Sequence, residues 1–354
     1  MSEIGSDVRR VCIAWSGLPL YAAAGIAAAI ESSGYEISVI GTRPAVPAMG
    51  MEAAIGKTVT WIDVNDRVSF EELGLDVPQI AFISGWAIPA FMRLASQVRR
   101  AGGKVVCMAD NSFRGDARQW LGAVAYRLAY RRFYDHTWVP GKSAARLMRF
   151  YGVPADRISQ GLYTADTSVF RCQVPIANRP LRFVFAGQFI DRKNVLRMCS
   201  AFLEFRKHDS RPCELHLYGA GPLRERIPVH PDIRVHPFAT PSELAAALNQ
   251  ARCLVLPSVS DHWGLVVHEA AACGTLLVVS DATGAAEDLC SPVNSQVVRA
   301  SSNNDIARAF QWVSTLGESD LIAASRESVE RAAAFSVTKW ATTFTAICGK
   351  LQAG

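Results

Sequence analysis

No two of the nine cysteines between Cys12 and Cys348 are spaced as Cys-x-x-Cys, and their number is odd. A disulfide framework is therefore not expected; buried, reduced thiols in a cytoplasmic protein are. No Asp-x-Asp occurs anywhere, which removes the plainest carboxylate clamp for a metal ion. His268-Glu269 opens like the helix of a zinc protease, but that motif needs a second His four residues later. Position 272 is Ala, and Cys273 falls off the required helix face. Short repeats and low-complexity tracts are also missing. Charged residues are only 19% and hydrophobic ones 50%, the composition of a globular rather than a disordered chain. At 354 residues, two domains are expected.

One uncharged run, residues 11–30, follows Arg9-Arg10 and is long enough for a signal peptide or a single membrane span. Ser16, Gly17 and Pro19 interrupt its middle, so a strand, a tight loop and a helix are expected instead. Charge is unevenly spread. Residues 1–92 hold 5 basic and 10 acidic groups, residues 93–157 hold 13 and 4, and the remainder 19 and 18. A local excess of +9 calls for an anionic partner, with phosphate, nucleic acid and a membrane surface all open at this point.

Short apolar runs alternate with helical patterns. VRRVCIAW, YEISVIG, IAFISG and KVVCMAD read as strands, with helices at 21–33 and 89–101 between them. Residues 165–180 carry two prolines and little periodicity, as a linker does. The pattern then restarts with LRFVFAG, CELHLYG, IRVHPF, CLVLPS and TLLVVSD as strands. Two α/β domains with parallel sheets follow: residues 1–165, a linker at 166–180, and residues 181–336. Ligands of such sheets sit at the carboxyl ends of the strands.

The loops after those strands supply the candidates. Gly219-Ala-Gly221 begins like a dinucleotide fingerprint, but position 224 is Arg, so a tight strand-to-helix turn is expected rather than NAD binding. Gly187 ends a strand, and Arg192-Lys193 precede a helix whose dipole they oppose. An anion bound between them relieves that cost, and a lysine suits a diphosphate. Asp261 lies in the loop after LPS, where a helix N-cap is its simplest role. Gly264, Leu265 and Val266 start a helix and offer unpaired backbone N–H groups to a phosphate. Glu269 follows one turn deeper among apolar neighbours, where a buried carboxylate needs partners such as a ribose diol. Phe238, after IRVHPF, either flanks a base or packs in the core.

Taken together, LPSVSDHWGLVVHEAAACGTLLVVSDATGAAEDL, AGQFIDRKNVLRMCSAFLEF and LYGAGPLRERI resemble the nucleotide-sugar half of retaining GT-B glycosyltransferases of family 4. RFYGVPADRISQGLYTADTSVF resembles the family's approach to the interdomain linker. FSVTKWATTFTAI resembles the terminal helix, about 337–354, that crosses back to the first domain. The resemblance implies two Rossmann-like domains facing across a cleft. It also implies retaining, metal-independent transfer of a hexosyl-type sugar from a UDP or GDP donor, with no cofactor. By this resemblance Lys193 binds the diphosphate, with Arg192 supplying the charge that the family often places at position 188, here Gln. Glu269 binds the ribose, and Asp261 stands where a Glu usually meets the donor sugar. Gly17 lies near the phosphates, and Asp110, with Asn111 beside it, takes the place of a sugar-contacting His. The acceptor is expected to be a lipid-linked or cell-surface saccharide and not a nucleic acid. Other GT-B chemistry, such as nucleotide-sugar epimerisation or sugar-phosphate synthesis, and a non-catalytic sugar-nucleotide scaffold are the alternatives.

The basic block contains a helical pattern at 118–134. Trp120, Leu121, Val124 and Leu128 form one stripe, read as core. Tyr126, Tyr130, Phe133 and Tyr134 form another, flanked by Arg127, Arg131 and Arg132. The aromatic-basic face suits a headgroup layer, so salt-reversible binding to the cytoplasmic face of an anionic membrane is expected.

Overall fold

The computed structural model describes residues 9–43 and 50–353. Contacts divide the chain into two units: unit 1 takes the described residues up to Pro140, Ala144–Thr164 and the chain from Val337, and unit 2 takes Gly141–Ser143 and Ala165–Ser336.

Unit 1 runs β1 (Arg10–Trp15), α1 (Leu20–Ser32), β2 (Glu36–Gly41), α2 (Met51–Ile55), β3 (Val59–Trp61), β4 (Ile80–Ser84), α3 (Pro89–Arg100), β5 (Lys104–Met108), α4 (Ala117–Ala129), β6 (His136–Val139), α5 (Lys142–Phe150) and β7 (Ile158–Gln160). Its seven strands are ordered β3-β2-β1-β4-β5-β6-β7, with every pairing parallel. The uncharged run of residues 11–30 is β1, a turn at Gly17 with φ 55°, and α1. No described helix is long and apolar enough to cross a membrane.

Unit 2 runs β8 (Arg182–Ala186), α6 (Val195–Arg206), β9 (Glu214–Tyr218), β10 (Ile233–His236), α7 (Pro241–Asn249), β11 (Cys253–Leu256), α8 (Leu265–Ala272), β12 (Leu276–Ser280), α9 (Ala286–Leu289), β13 (Ser295–Val298), α10 (Asn303–Thr315) and α11 (Glu318–Ala333). The order is β10-β9-β8-β11-β12-β13, again parallel. Strands buried on both faces explain the near-continuous apolar runs: β11 and β12 are buried at every position.

In each sheet the strand order reverses beside the first strand, between β1 and β4 and between β8 and β11. Such reversal points open a crevice at the carboxyl ends of the strands, where ligands bind. A last helix, α12 (Val337–Ala353), belongs to unit 1. Trp340 is buried against α1, Phe344 stacks on Phe82 at 4.8 Å, and Trp340 Nε1 donates to Leu162 O at 2.8 Å. A side chain at Gly25 would fall 2.7 Å from the Trp340 ring, so the glycine is what admits α12 so closely.

Candidate active site

In unit 2 three loops meet where the strand order reverses. The first, after β8, carries Gly187 and a 3-10 turn at Asp191–Lys193, and enters α6 through Asn194 with φ 60°. The Asn194 amide donates to Pro257 O at 3.0 Å and to Ala300 O at 2.8 Å, which ties the loop to the end of β11 and offsets the strained backbone. The Val259 N–H donates to Arg192 O at 2.8 Å. The second, Gly219-Ala-Gly221, lets the first pass: a Cβ at Gly219 would sit 1.9 Å from Gly187 O. The Phe189 N–H donates to Ala220 O at 2.8 Å across that contact.

The third is the loop after β11. Lys193 Nζ donates to Asp261 Oδ2, and the Arg192 guanidinium lies 3.6 Å from Asp261 Oδ1 while donating to Ser260 O at 2.9 Å. Lys193 and Asp261 are largely enclosed, with side-chain exposures of 13% and 10%, whereas Arg192 is 45% exposed. The N-cap role expected of Asp261 is overturned. Gly264 caps α8 with φ 81° and no side-chain bond, because the Asp261 carboxylate is drawn back to the cations. Among the described residues no backbone carbonyl takes the N–H groups of residues 264–266; the first bond of the turn is from Val267 N–H to Gly264 O.

Glu269 lies one turn into α8, half-buried between Val267 and the buried Ala270-Ala271. Burial pushes its carboxyl up to about 7, and among the described residues no side chain or backbone N–H hydrogen-bonds to it. His268 beside it is fully buried and structural. Its Nδ1 accepts from the Ala165 N–H at 2.9 Å and its Nε2 donates to Ala332 O at 3.1 Å. Burial holds its pKa down at about 4, so it stays neutral. Phe238 follows β10 and is 48% exposed, so it is no core residue.

Thus Lys193, Arg192 and Asp261 are in direct contact. Gly187, Phe238, Gly264, Leu265, Val266 and Glu269 stand on the same carboxyl edge of the sheet. Gly17 and Asp110 belong to unit 1, on loops after β1 and β5. The Gly17 N–H donates to Thr42 Oγ1 at 2.6 Å, and Tyr163 Oη donates to Asp110 Oδ2 at 2.9 Å. Sequence reasoning missed Asn194 and Tyr163. The doubled cation before Asn194 was the only signal for that tight turn, and nothing marked Tyr163.

The basic block corrects the reading of α4. Trp120, Leu121, Val124 and Leu128, read as core, are 61%, 74%, 57% and 84% exposed. Tyr126 and Tyr134, read as the headgroup face, are buried, with Tyr126 5.3 Å from Trp86 and Tyr134 donating to Gly85 O at 3.1 Å. The helix is apolar on both sides, and the tyrosines go inward because there their hydroxyls find partners.

Residues 180–315 match the family model described as glycosyl transferases group 1. No curated protein sequence matches the chain. Among solved structures, a glycosyltransferase from Rickettsia africae has a TM-score of 0.76 at 11% identity, covering 98% of this chain and 99% of that one. The Anabaena protein Alr3699/HepE, solved with UDP-glucose, has a TM-score of 0.72 at 13% identity, covering 98% and 100%. A sucrose-phosphate synthase from Thermosynechococcus elongatus has a TM-score of 0.72 at 14% identity, covering 98% and 99%. The chain therefore has the GT-B fold, with a glycosyl transferases group 1 segment in unit 2.

Proposed function

We propose that the protein is a retaining glycosyltransferase that takes its sugar from a UDP or GDP donor and gives it to a hydroxyl of a lipid-linked or cell-surface saccharide. The observation that carries this is Glu269. A half-buried carboxylate that burial pushes up to about 7, with no hydrogen-bond partner among the described residues, is a costly arrangement unless a ligand completes it. A ribose diol supplies two donors of the right geometry. The open N–H groups at the start of α8 then face a diphosphate, with Lys193 and Arg192 as its cations. Phe238 flanks the base.

In this reading Asp261 holds Lys193 until the donor arrives. The diphosphate then takes over the cation, and Asp261 turns to the sugar hydroxyls. Negative charge grows on the diphosphate as the glycosidic bond breaks, so Lys193 and Arg192 act most strongly in the transition state. The acceptor hydroxyl attacks the face the leaving group departs from, and its proton passes to the departing phosphate. The leaving-group charge is met by side chains and amides rather than by a metal ion.

The test is release of nucleoside diphosphate from UDP- and GDP-sugars, with and without saccharide acceptors, in the presence of EDTA. Acceptor-dependent release that EDTA leaves unchanged is expected. A strict requirement for added Mg²⁺ or Mn²⁺, or release of no nucleotide with any donor, contradicts the reading. Lys193→Ala is expected to lower kcat and raise KM together; a change in KM alone makes Lys193 a uniform binder.

A further inference from the structure

At 100° per residue, Trp120, Leu121, Val124 and Leu128 fall within roughly 100° of arc on α4. Their exposures of 61%, 74%, 57% and 84% make one contiguous apolar strip on the side of the helix opposite the buried Ala123 and Tyr126. Soluble proteins scatter large apolar side chains singly, and a strip of this kind marks a partner. Its surroundings are cationic. Arg118, Arg127, Arg131 and Arg132 are all exposed. The Arg127 guanidinium donates to Phe150 O at 2.9 Å and Tyr151 O at 3.3 Å, which fixes its position without neutralising it.

Beside the C-terminal end of α4 lies a cavity of about 630 Å³ lined by Arg127, Arg131, Arg132 and Arg157. The one carboxylate in its lining, Asp135, is bound to Arg99 at 2.7 Å. His136 lines it too, is 3% exposed, and has an Nδ1 with no hydrogen-bond partner, while its Nε2 is 2.9 Å from Ser159 Oγ. A cluster of arginines around a cavity, bordered by exposed tryptophan and leucine, joins phosphate recognition to apolar insertion.

We propose that this face of unit 1 docks on an anionic phospholipid bilayer, with Trp120, Leu121, Val124 and Leu128 entering the acyl boundary and Arg127, Arg131, Arg132 and Arg157 taking lipid phosphates. A second copy of the chain is a poor occupant, because a two-fold contact sets the same arginines against each other. The convex strip also differs from the grooves that receive peptides. The expectation from sequence was salt-reversible binding through the face of Tyr126, Tyr130, Phe133 and Tyr134 with their flanking arginines. The exposed strip instead adds an apolar contribution that salt does not screen. The inference rests on the proposed transferase only for its purpose, delivery to a lipid-linked acceptor. Its test uses no donor, so the two readings fail separately.

The experiment is co-sedimentation with phosphatidylcholine vesicles, with and without roughly 30% phosphatidylglycerol. The wild type is expected to bind the anionic vesicles at low salt and to remain partly bound at about 0.5 M NaCl, where exposed charges are screened. Leu121→Glu/Leu128→Glu is expected to bind at least about tenfold more weakly at both salts, since two charges replace the inserting side chains. Arg131→Glu/Arg132→Glu is expected to lose the preference for phosphatidylglycerol. Melting temperatures within a few degrees of wild type exclude misfolding as the cause. The proposal is overturned if the wild type stays in the supernatant with anionic vesicles at low salt. It is equally overturned if the leucine variant binds as the wild type does, or if that variant converts a dimer to a monomer without vesicles.

Discussion

Glu269 sets a pH dependence whose sign is fixed by its surroundings. Burial raises its carboxyl from the ordinary 4.5 to about 7, so the folded protein holds that proton more tightly than the unfolded chain does. Stability from this group is present below 4.5, falls as pH rises through the window from 4.5 to 7, and is lost above it. The loss is at most about 3 kcal/mol. Glu269→Gln is therefore expected to raise the melting temperature of the ligand-free protein at pH 8 and not at pH 4, as read by calorimetry. Under the proposed ribose contact, donor binding has the opposite slope, because a diol donates to the ionised form. Affinity for a UDP- or GDP-sugar should climb from about pH 5.5 to 7.5 and then level, and Glu269→Gln should flatten the profile. A second residue-scale outcome concerns Asp261. Asp261→Ala leaves Lys193 enclosed without a counter-ion and should cost about 3 kcal/mol in the ligand-free protein. A bound nucleoside diphosphate replaces the missing charge, so its stabilising effect should be larger in Asp261→Ala than in wild type. Equal thermal shifts would remove the exchange of Lys193 between carboxylate and phosphate. Transfer activity should survive better in Asp261→Glu than in Asp261→Ala.

Among the elements, the loop pair after β8 and β9 is the most exacting. Gly219→Ala places a methyl group 1.9 Å from Gly187 O, a backbone atom that cannot yield without moving the turn that carries Lys193. Loss of nucleotide binding with about 2–4 kcal/mol of destabilisation is expected, checked by denaturant unfolding alongside calorimetric titration. Wild-type binding in this variant would mean that the phosphate loop does not depend on the close approach. The elements that carry the site were legible because β8 and β11 are apolar runs ending at Gly187 and at Pro257-Ser258, β9 alternates apolar and polar residues up to Gly219, and β12 is an apolar run ending at Ser280-Asp281. Four strands were not. β3, β7 and β13 are sheet edges of three or four residues, too short for a period to register. β6 is interior, but its His136-Thr137 start breaks the apolar run. The face of α4 was read backwards because both of its sides are apolar, and periodicity cannot choose between two stripes. The pairing of Lys193 with Asp261 was hidden as well. The two lie 68 positions apart, and a carboxylate before a helix reads locally as a cap.

For the molecule as a whole, α12 joins the last residues of the chain to the first sheet. Trp340, Phe344 and Ile347 are at most 2% exposed in unit 1's core. Removing residues 337–353 strips three large core side chains at about 2–5 kcal/mol each, comparable to the entire stability of a domain. Collapse of unit 1 is expected, detectable as protease sensitivity upstream of residue 164; a protease-resistant unit 1 in the truncated protein would make the helix dispensable. The account centres on a sugar nucleotide held by unit 2, and isothermal titration of wild type and Glu269→Gln with a panel of UDP- and GDP-sugars tests that most directly. It predicts that wild type binds at least one of them and that Glu269→Gln binds it at least about tenfold more weakly, the loss of charge-assisted hydrogen bonds. Binding of none of the panel by wild type, or equal binding by the folded variant, would contradict it.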